Sequence, residues 1–90
     1  MPTKAVLITG ANGEIGHGLI ARLKQQQPDT RIIAIDVHPL SKELKRQCHE
    51  TIVGDILDAL MIDRLAAFYD FSTIYHLAAI LSAKAEREPV

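Results

Sequence analysis

Long apolar runs are missing from this chain. The longest, Leu77-Ala78-Ala79-Ile80-Leu81, falls far short of the roughly 20 residues that cross a bilayer, and the N-terminus lacks the apolar stretch of a secretory signal. Membrane insertion and secretion are therefore not expected. An excess of one charge is missing too: 10 Lys and Arg stand against 11 Asp and Glu, for a net charge of −1. The basic residues Arg22, Lys24, Lys42, Lys45 and Arg46 have no aromatic residues interleaved with them, so neither nucleic acid nor an anionic membrane surface is expected as a partner. Cysteine is almost absent. Cys48 alone cannot form an internal disulfide, which suits a reducing, cytoplasmic compartment. Its adjacency to His49 does not build a metal site, and His17 and His38 add no ligand spacing. Internal repeats, low-complexity tracts and inter-domain linkers are also missing.

What is present describes one small domain. Ninety residues, 48% hydrophobic and 23% charged, bury about 60 to 65% of the surface that the unfolded chain exposes. The apolar period switches repeatedly along the chain. Ala5-Val6-Leu7-Ile8 is a short run ending at Thr9-Gly10, the pattern of a strand buried on both faces. From Glu14 to Gln26, Ile15, Leu19, Ile20 and Leu23 recur at helical spacing, and Pro28 closes the segment. Arg31 to Asp36 reads as a second buried strand, stopped by His38-Pro39, and Ser41 to Gln47 as a helical turn or two. Thr51-Ile52-Val53 is a third strand ending at Gly54-Asp55. Asp58 can cap a helix whose Met61, Leu65 and Phe68 share one face, and Ser72 to His76 is a fourth strand. Strands alternating with helices imply crossovers, a parallel sheet and the α/β class.

The stretch from Leu7 to Ile20, LITGANGEIGHGLI, spaces Gly10, Gly13 and Gly16 by three. Gly10 lies where the first strand ends, Gly16 in the first turn of the helix, and Asp36 at the end of the second strand. This is the context of a dinucleotide-binding fingerprint. Gly10 permits a sharp turn, Gly13 lets the backbone approach a pyrophosphate, and Gly16 allows close packing of helix on sheet. The helix then aims its free amides and positive dipole end at the phosphates. Asp36 accepts from the adenosine ribose hydroxyls, and its charge repels a 2′-phosphate, so NAD is expected over NADP, with Glu14 adding to that bias.

These residues resemble the extended short-chain dehydrogenase/reductases, the NAD-dependent epimerase/dehydratase family. The resemblance rests on Thr9-Gly10-x-x-Gly13-x-x-Gly16, on Asp36, on Gly54-Asp55-Ile56 and on His76-Leu77-Ala78-Ala79, and spans essentially the whole chain. It implies a Rossmann-type, doubly wound parallel sheet with strand order 3-2-1-4. It also implies a cofactor site of Gly10, Asn12, Gly13, Glu14, Ile15, Gly16, Asp36, Asp55, Ile56, Leu77, Ala78 and Ala79. Asp55 would face the adenine amino group and the Ile56 amide a ring nitrogen, while Ala78 and Ala79 would line the passage beside the pyrophosphate and nicotinamide ribose. His76 taken alone reads as a packed strand-end histidine. Glu14, where many nucleotide-sugar epimerases carry an aromatic residue, and the tail from Ile80 to Glu86 look like members related to L-threonine 3-dehydrogenase. Ser82 then becomes a candidate for the substrate pocket.

One departure from the family bears on catalysis. Its members use a Tyr-x-x-x-Lys pair as base, yet Tyr69 and Tyr75 are followed four residues on by Thr73 and Ala79. No catalytic residue is therefore assigned in this chain. Residues 1–90 are expected to be the N-terminal portion of an NAD-binding Rossmann domain, with the rest of the sheet and a substrate domain elsewhere. The parent is expected to be an oxidoreductase acting on a small-molecule substrate and to form a homo-oligomer, with the 90 residues alone inactive. A nucleotide-sugar epimerase or dehydratase, a sugar-acid dehydrogenase, and a non-catalytic dinucleotide sensor remain as alternatives.

Overall fold

Runs of Ile, Val, Leu and Ala that lack a polar face can only be satisfied in a sheet covered on both sides. In the structure, a computed structural model describing residues 3–77, these runs form the centre of a four-stranded parallel sheet. The elements in chain order are β1 (Thr3–Thr9), α1 (Glu14–Gln26), β2 (Ile32–Asp36), α2 (Lys42–Gln47), β3 (Glu50–Val53), α3 (Ala59–Phe68) and β4 (Tyr69–His76). The strand order is β3-β2-β1-β4, the order that the family resemblance implies. The fold is a Rossmann-like α/β arrangement.

Side chains alternate across the two central strands. Val6, Ile8, Ile32 and Ala34 face Ile20 and Leu23 of α1 and Leu44 of α2. Ala5, Leu7, Ile33 and Ile35 face Leu65 of α3. Two layers of core thus lie on opposite sides of the sheet, with α1 and α2 on one and α3 on the other. Right-handed crossovers require this: the sheet grows one way from β1 to β3 and then reverses to place β4 beside β1, so the third crossover covers the other face.

Several details differ from the sequence reading. β4 begins at Tyr69, three residues before the expected Ser72, because β1 offers ladder partners for Tyr69, Asp70 and Phe71. The register then shifts between Ala5 and Val6, where Ser72 is the extra residue in β4 and its hydroxyl donates to the Ala5 carbonyl at 3.4 Å. The helical spacing puts Ile15 on the apolar face of α1, yet it is 56% exposed at the N-terminal end of that helix. On α3, Leu65 is buried whereas Phe68 is 70% exposed. Helical spacing places residues on a common face, but only Met61 and Leu65 of that face pack against the sheet.

The helix ends follow local chemistry. Ser41 and Asp58 cap α2 and α3, accepting from the amides of Leu44 and Met61. The first residue of α1 is preceded by Gly13, which offers no side-chain cap. No helix among the described residues is long and apolar enough to cross a membrane.

Candidate dinucleotide site

In an open α/β sheet the ligand crevice lies beyond the carboxyl ends of the strands, where the strand order reverses. A cleft of about 470 Å³ occupies that end of the sheet. It is lined by Thr9, Gly10, Asn12 and Gly13 after β1, by Ile35 to His38 at the end of β2, and by Gly54, Asp55 and Ile56 after β3. Three connections far apart in sequence therefore converge on one space.

The glycines do different work there. Gly10 has φ of 67°, and no other residue of the described chain has positive φ. The sharp exit from β1 depends on that conformation, which other residues adopt only at a cost. A side chain on Gly16 would put its Cβ 2.6 Å from the Ala11 carbonyl carbon and closer still to the oxygen. Gly16 therefore lets α1 rest directly on the turn. Gly13 is the opposite case. A Cβ there would meet nothing within 4 Å, so its missing side chain leaves the cleft side of the backbone open.

Asp36 joins the loop to the second strand. One carboxylate oxygen accepts from the Asn12 amide at 3.0 Å and the other from the His38 amide at 3.0 Å. Backbone bonds reinforce the arrangement: the Ala11 amide donates to the Ile35 carbonyl at 3.2 Å and the Gly54 amide to the Asp36 carbonyl at 2.9 Å. A carboxylate oxygen accepts more than one hydrogen bond, so Asp36 retains acceptor capacity toward the cleft. Asp55 shapes the third connection, with its Oδ1 accepting from the Leu57 amide at 2.9 Å.

Of the residues singled out from the sequence, Gly10, Asn12, Gly13, Asp36, Asp55 and Ile56 line this one cleft. Glu14 and Ile15 are exposed in the first turn of α1, and Gly16 is buried against Ala11. Leu77 is buried in the core with α1 and α2. Ala78, Ala79 and Ser82 lie outside the described residues. His76, read from sequence as a packed strand-end histidine, is instead exposed at the end of β4, where its Nδ1 lies 2.7 Å from Thr9 Oγ1.

In the sequence His17 has no metal-ligand spacing and Ser41 stands at the start of a short helix, but nothing there shows that the two meet. His17 Nδ1 lies 2.8 Å from the Gly13 carbonyl oxygen, and Nε2 lies 3.0 Å from Ser41 Oγ. Its signal was the four-residue step from Gly13, which puts a side chain over the start of the helix. Cys48 is not part of the site: burial pushes its thiol up to about 11, against a smaller opposing effect of Lys24.

The residues present fit a nicotinamide dinucleotide. The cleft has an open glycine backbone, a helix N-terminus without a side-chain cap, and an acidic acceptor at the end of β2. Comparison with known proteins agrees. The chain is 32% identical over 87 residues to an uncharacterized epimerase/dehydratase of Staphylococcus saprophyticus, and 26% identical to one of Staphylococcus epidermidis. Each alignment covers 97% of this chain and 27% of the relative, so the chain spans about a quarter of the length of the curated relatives it matches. Among solved structures, the chain is similar to the L-threonine dehydrogenase of Clostridium difficile. The TM-score is 0.65 and the identity 28%, over 84% of this chain and 24% of that one. The family model of the NAD dependent epimerase/dehydratase family matches residues 6–88. The chain belongs to that family, whose cofactor is NAD.

Proposed function

We propose that residues 1–90 form the N-terminal portion of the NAD-binding domain of an oxidoreductase of the L-threonine 3-dehydrogenase type. The parent protein passes a hydride from a secondary alcohol to NAD. The observation that carries this reading is the meeting, in one cleft, of the open Gly13 at the uncapped start of α1 and the Asp36 carboxylate. The likeness to the Clostridium difficile L-threonine dehydrogenase supports the substrate class.

Bound NAD supplies the hydride acceptor, and the rest is the work of this chain's own atoms. The backbone at Gly10 and Gly13 approaches the pyrophosphate without side-chain obstruction. The first amides of α1 direct their hydrogens and the positive end of the helix dipole at it. Asp36 accepts from the adenosine ribose hydroxyls and repels a 2′-phosphate, while Asp55 and Ile56 bound the adenine side. The family resemblance assigns Ala78 and Ala79 to the nicotinamide side and Ser82 to the substrate pocket, while Leu77 serves the core beneath α1 and α2. Since no Tyr-x-x-x-Lys pair occurs in residues 1–90, the base comes from elsewhere in the parent protein, as do the rest of the sheet and the substrate domain. A homo-oligomer in the cytoplasm completes the proposal.

A second reading has a specific observation behind it. The Staphylococcus relatives carry the name epimerase/dehydratase, so a nucleotide sugar is the alternative substrate. The parent protein, assayed for NAD reduction with L-threonine and separately for turnover of a set of nucleotide sugars, decides between them. Threonine-dependent NADH formation is expected. Sugar-nucleotide conversion without it overturns the threonine assignment while retaining the NAD site.

A further inference from the structure

His17 has both ring nitrogens engaged, and the partners set the direction of each bond. The Gly13 carbonyl can only accept, so Nδ1 carries the proton. In the neutral ring Nε2 is then the acceptor for the Ser41 hydroxyl, and Ser41 Oγ in turn accepts from the Leu44 amide at 3.2 Å. One directed chain runs from the Leu44 amide through Ser41 and His17 to the Gly13 carbonyl. It joins two of the connections that border the cleft. Gly13 opens α1, and Ser41 ends the β2–α2 connection whose Val37 and His38 line the cleft. The connection is seated by Leu40 and Leu44, which are 5% and 0% exposed.

The Gly13 carbonyl accepts twice, from His17 Nδ1 at 2.8 Å and from the His17 amide at 3.0 Å. That carbonyl and the Glu14 amide share one rigid trans peptide plane and point in opposite directions. Holding the oxygen therefore aims the Glu14 N–H away from the helix body, toward the end where an anion is received. A glycine has no side chain with which to hold this plane, so the imidazole supplies the constraint.

We propose that His17 is a positioning residue of the NAD cleft. Through the Gly13 carbonyl and Ser41 it holds the glycine loop and the β2–α2 connection at one separation, so that the phosphate-binding and ribose-binding walls engage the same dinucleotide together. This inference rests on the assignment of the cleft to NAD. A coupling of two walls differs from general structural support in what it moves: a ligand touching one wall is indifferent to it, whereas a ligand spanning both is not.

The test compares His17→Ala, Ser41→Ala and Ser41→Thr with the unsubstituted protein, using NAD and adenosine as probes in calorimetric and NMR titrations. His17→Ala is expected to weaken NAD about fivefold, the scale of one neutral hydrogen bond, and to leave adenosine affinity unchanged. Ser41→Ala is expected to act alike and Ser41→Thr to restore binding. The double alanine variant should lose no more than either single one, because the two residues act as one chain. Nitrogen-15 spectra of the ligand-free protein should show the Nδ1-protonated tautomer of His17. If His17→Ala does not fold, the two Ser41 variants carry the same comparison. An Nε2-protonated ring, or unchanged NAD affinity in the variants, overturns the proposal alone. Absence of NAD binding by the unsubstituted protein overturns the cleft assignment as well.

Discussion

Asp36 and Asn12 meet across 24 residues of sequence, with the aspartate Oδ2 accepting the asparagine amide at 3.0 Å. The same carboxylate that would select the cofactor also pins the loop that would cradle its phosphates. Removing it therefore has two consequences. Asp36→Ala is expected to lower NAD affinity by about tenfold or more, since hydrogen bonds to a charged acceptor contribute about 1.5 to 3 kcal/mol. It should also narrow the preference for NAD over NADP, because the repulsive charge is gone. Calorimetry with both nucleotides on both proteins checks this, and equal affinities for the unsubstituted protein would count against the role of Asp36.

Gly13 and Gly16 should separate binding from stability. Gly16→Ala forces a Cβ against the Ala11 backbone and is expected to cost about 1 to 3 kcal/mol of folding free energy, the range for overpacking a site that cannot yield. Gly13→Ala meets open space and should leave the melting temperature nearly unchanged while weakening NAD. Thermal denaturation and calorimetry on the two variants read the contrast directly. A stable Gly16→Ala protein would show that α1 can lift from the turn.

Cys48 should be a poor nucleophile. Burial raises its thiol to about 11, so at pH 8 the folded protein holds far less thiolate than an unfolded chain, whose thiol titrates near 8.5. Labelling by a disulfide reagent at pH 8 is expected to be about tenfold slower or more in the native protein than in urea. The native rate should keep rising with pH beyond 9, where the unfolded rate levels off.

The outer edge of β4 carries a prediction about assembly. Among the described residues β4 pairs with β1 alone, and Ile74 on it is 57% exposed. An unpaired edge beside apolar surface favours strand addition from another chain. The isolated 90-residue chain is expected to self-associate through β4, with a sedimentation coefficient that rises with concentration, and Ile74→Lys should reduce the effect. A concentration-independent monomer at high concentration would show that the edge is protected.

Local chemistry in the sequence determined much of this architecture. Ala5 to Ile8 and Ile32 to Ile35 have no polar face, so they could only be strands covered on both sides. Gly10, Gly13 and Gly16 next to them, with Asp36 at the end of the second, already spelled the cleft. Ser41 and Asp58 mark helix starts because a side-chain oxygen can reach an amide three residues on, an interaction that needs no distant partner. The tertiary structure decided what depends on neighbours across the sheet. Tyr69 to Phe71 became strand only because β1 lies beside them with free ladder positions, and Ile15 and Phe68 stand exposed although helical spacing puts them on apolar faces. The contact of His17 with Ser41 arises from the packing of α1 against α2. Periodicity and capping act over a few residues, whereas a hydrogen bond between positions 17 and 41 exists only once two crossovers have brought their helices to the same face of the sheet.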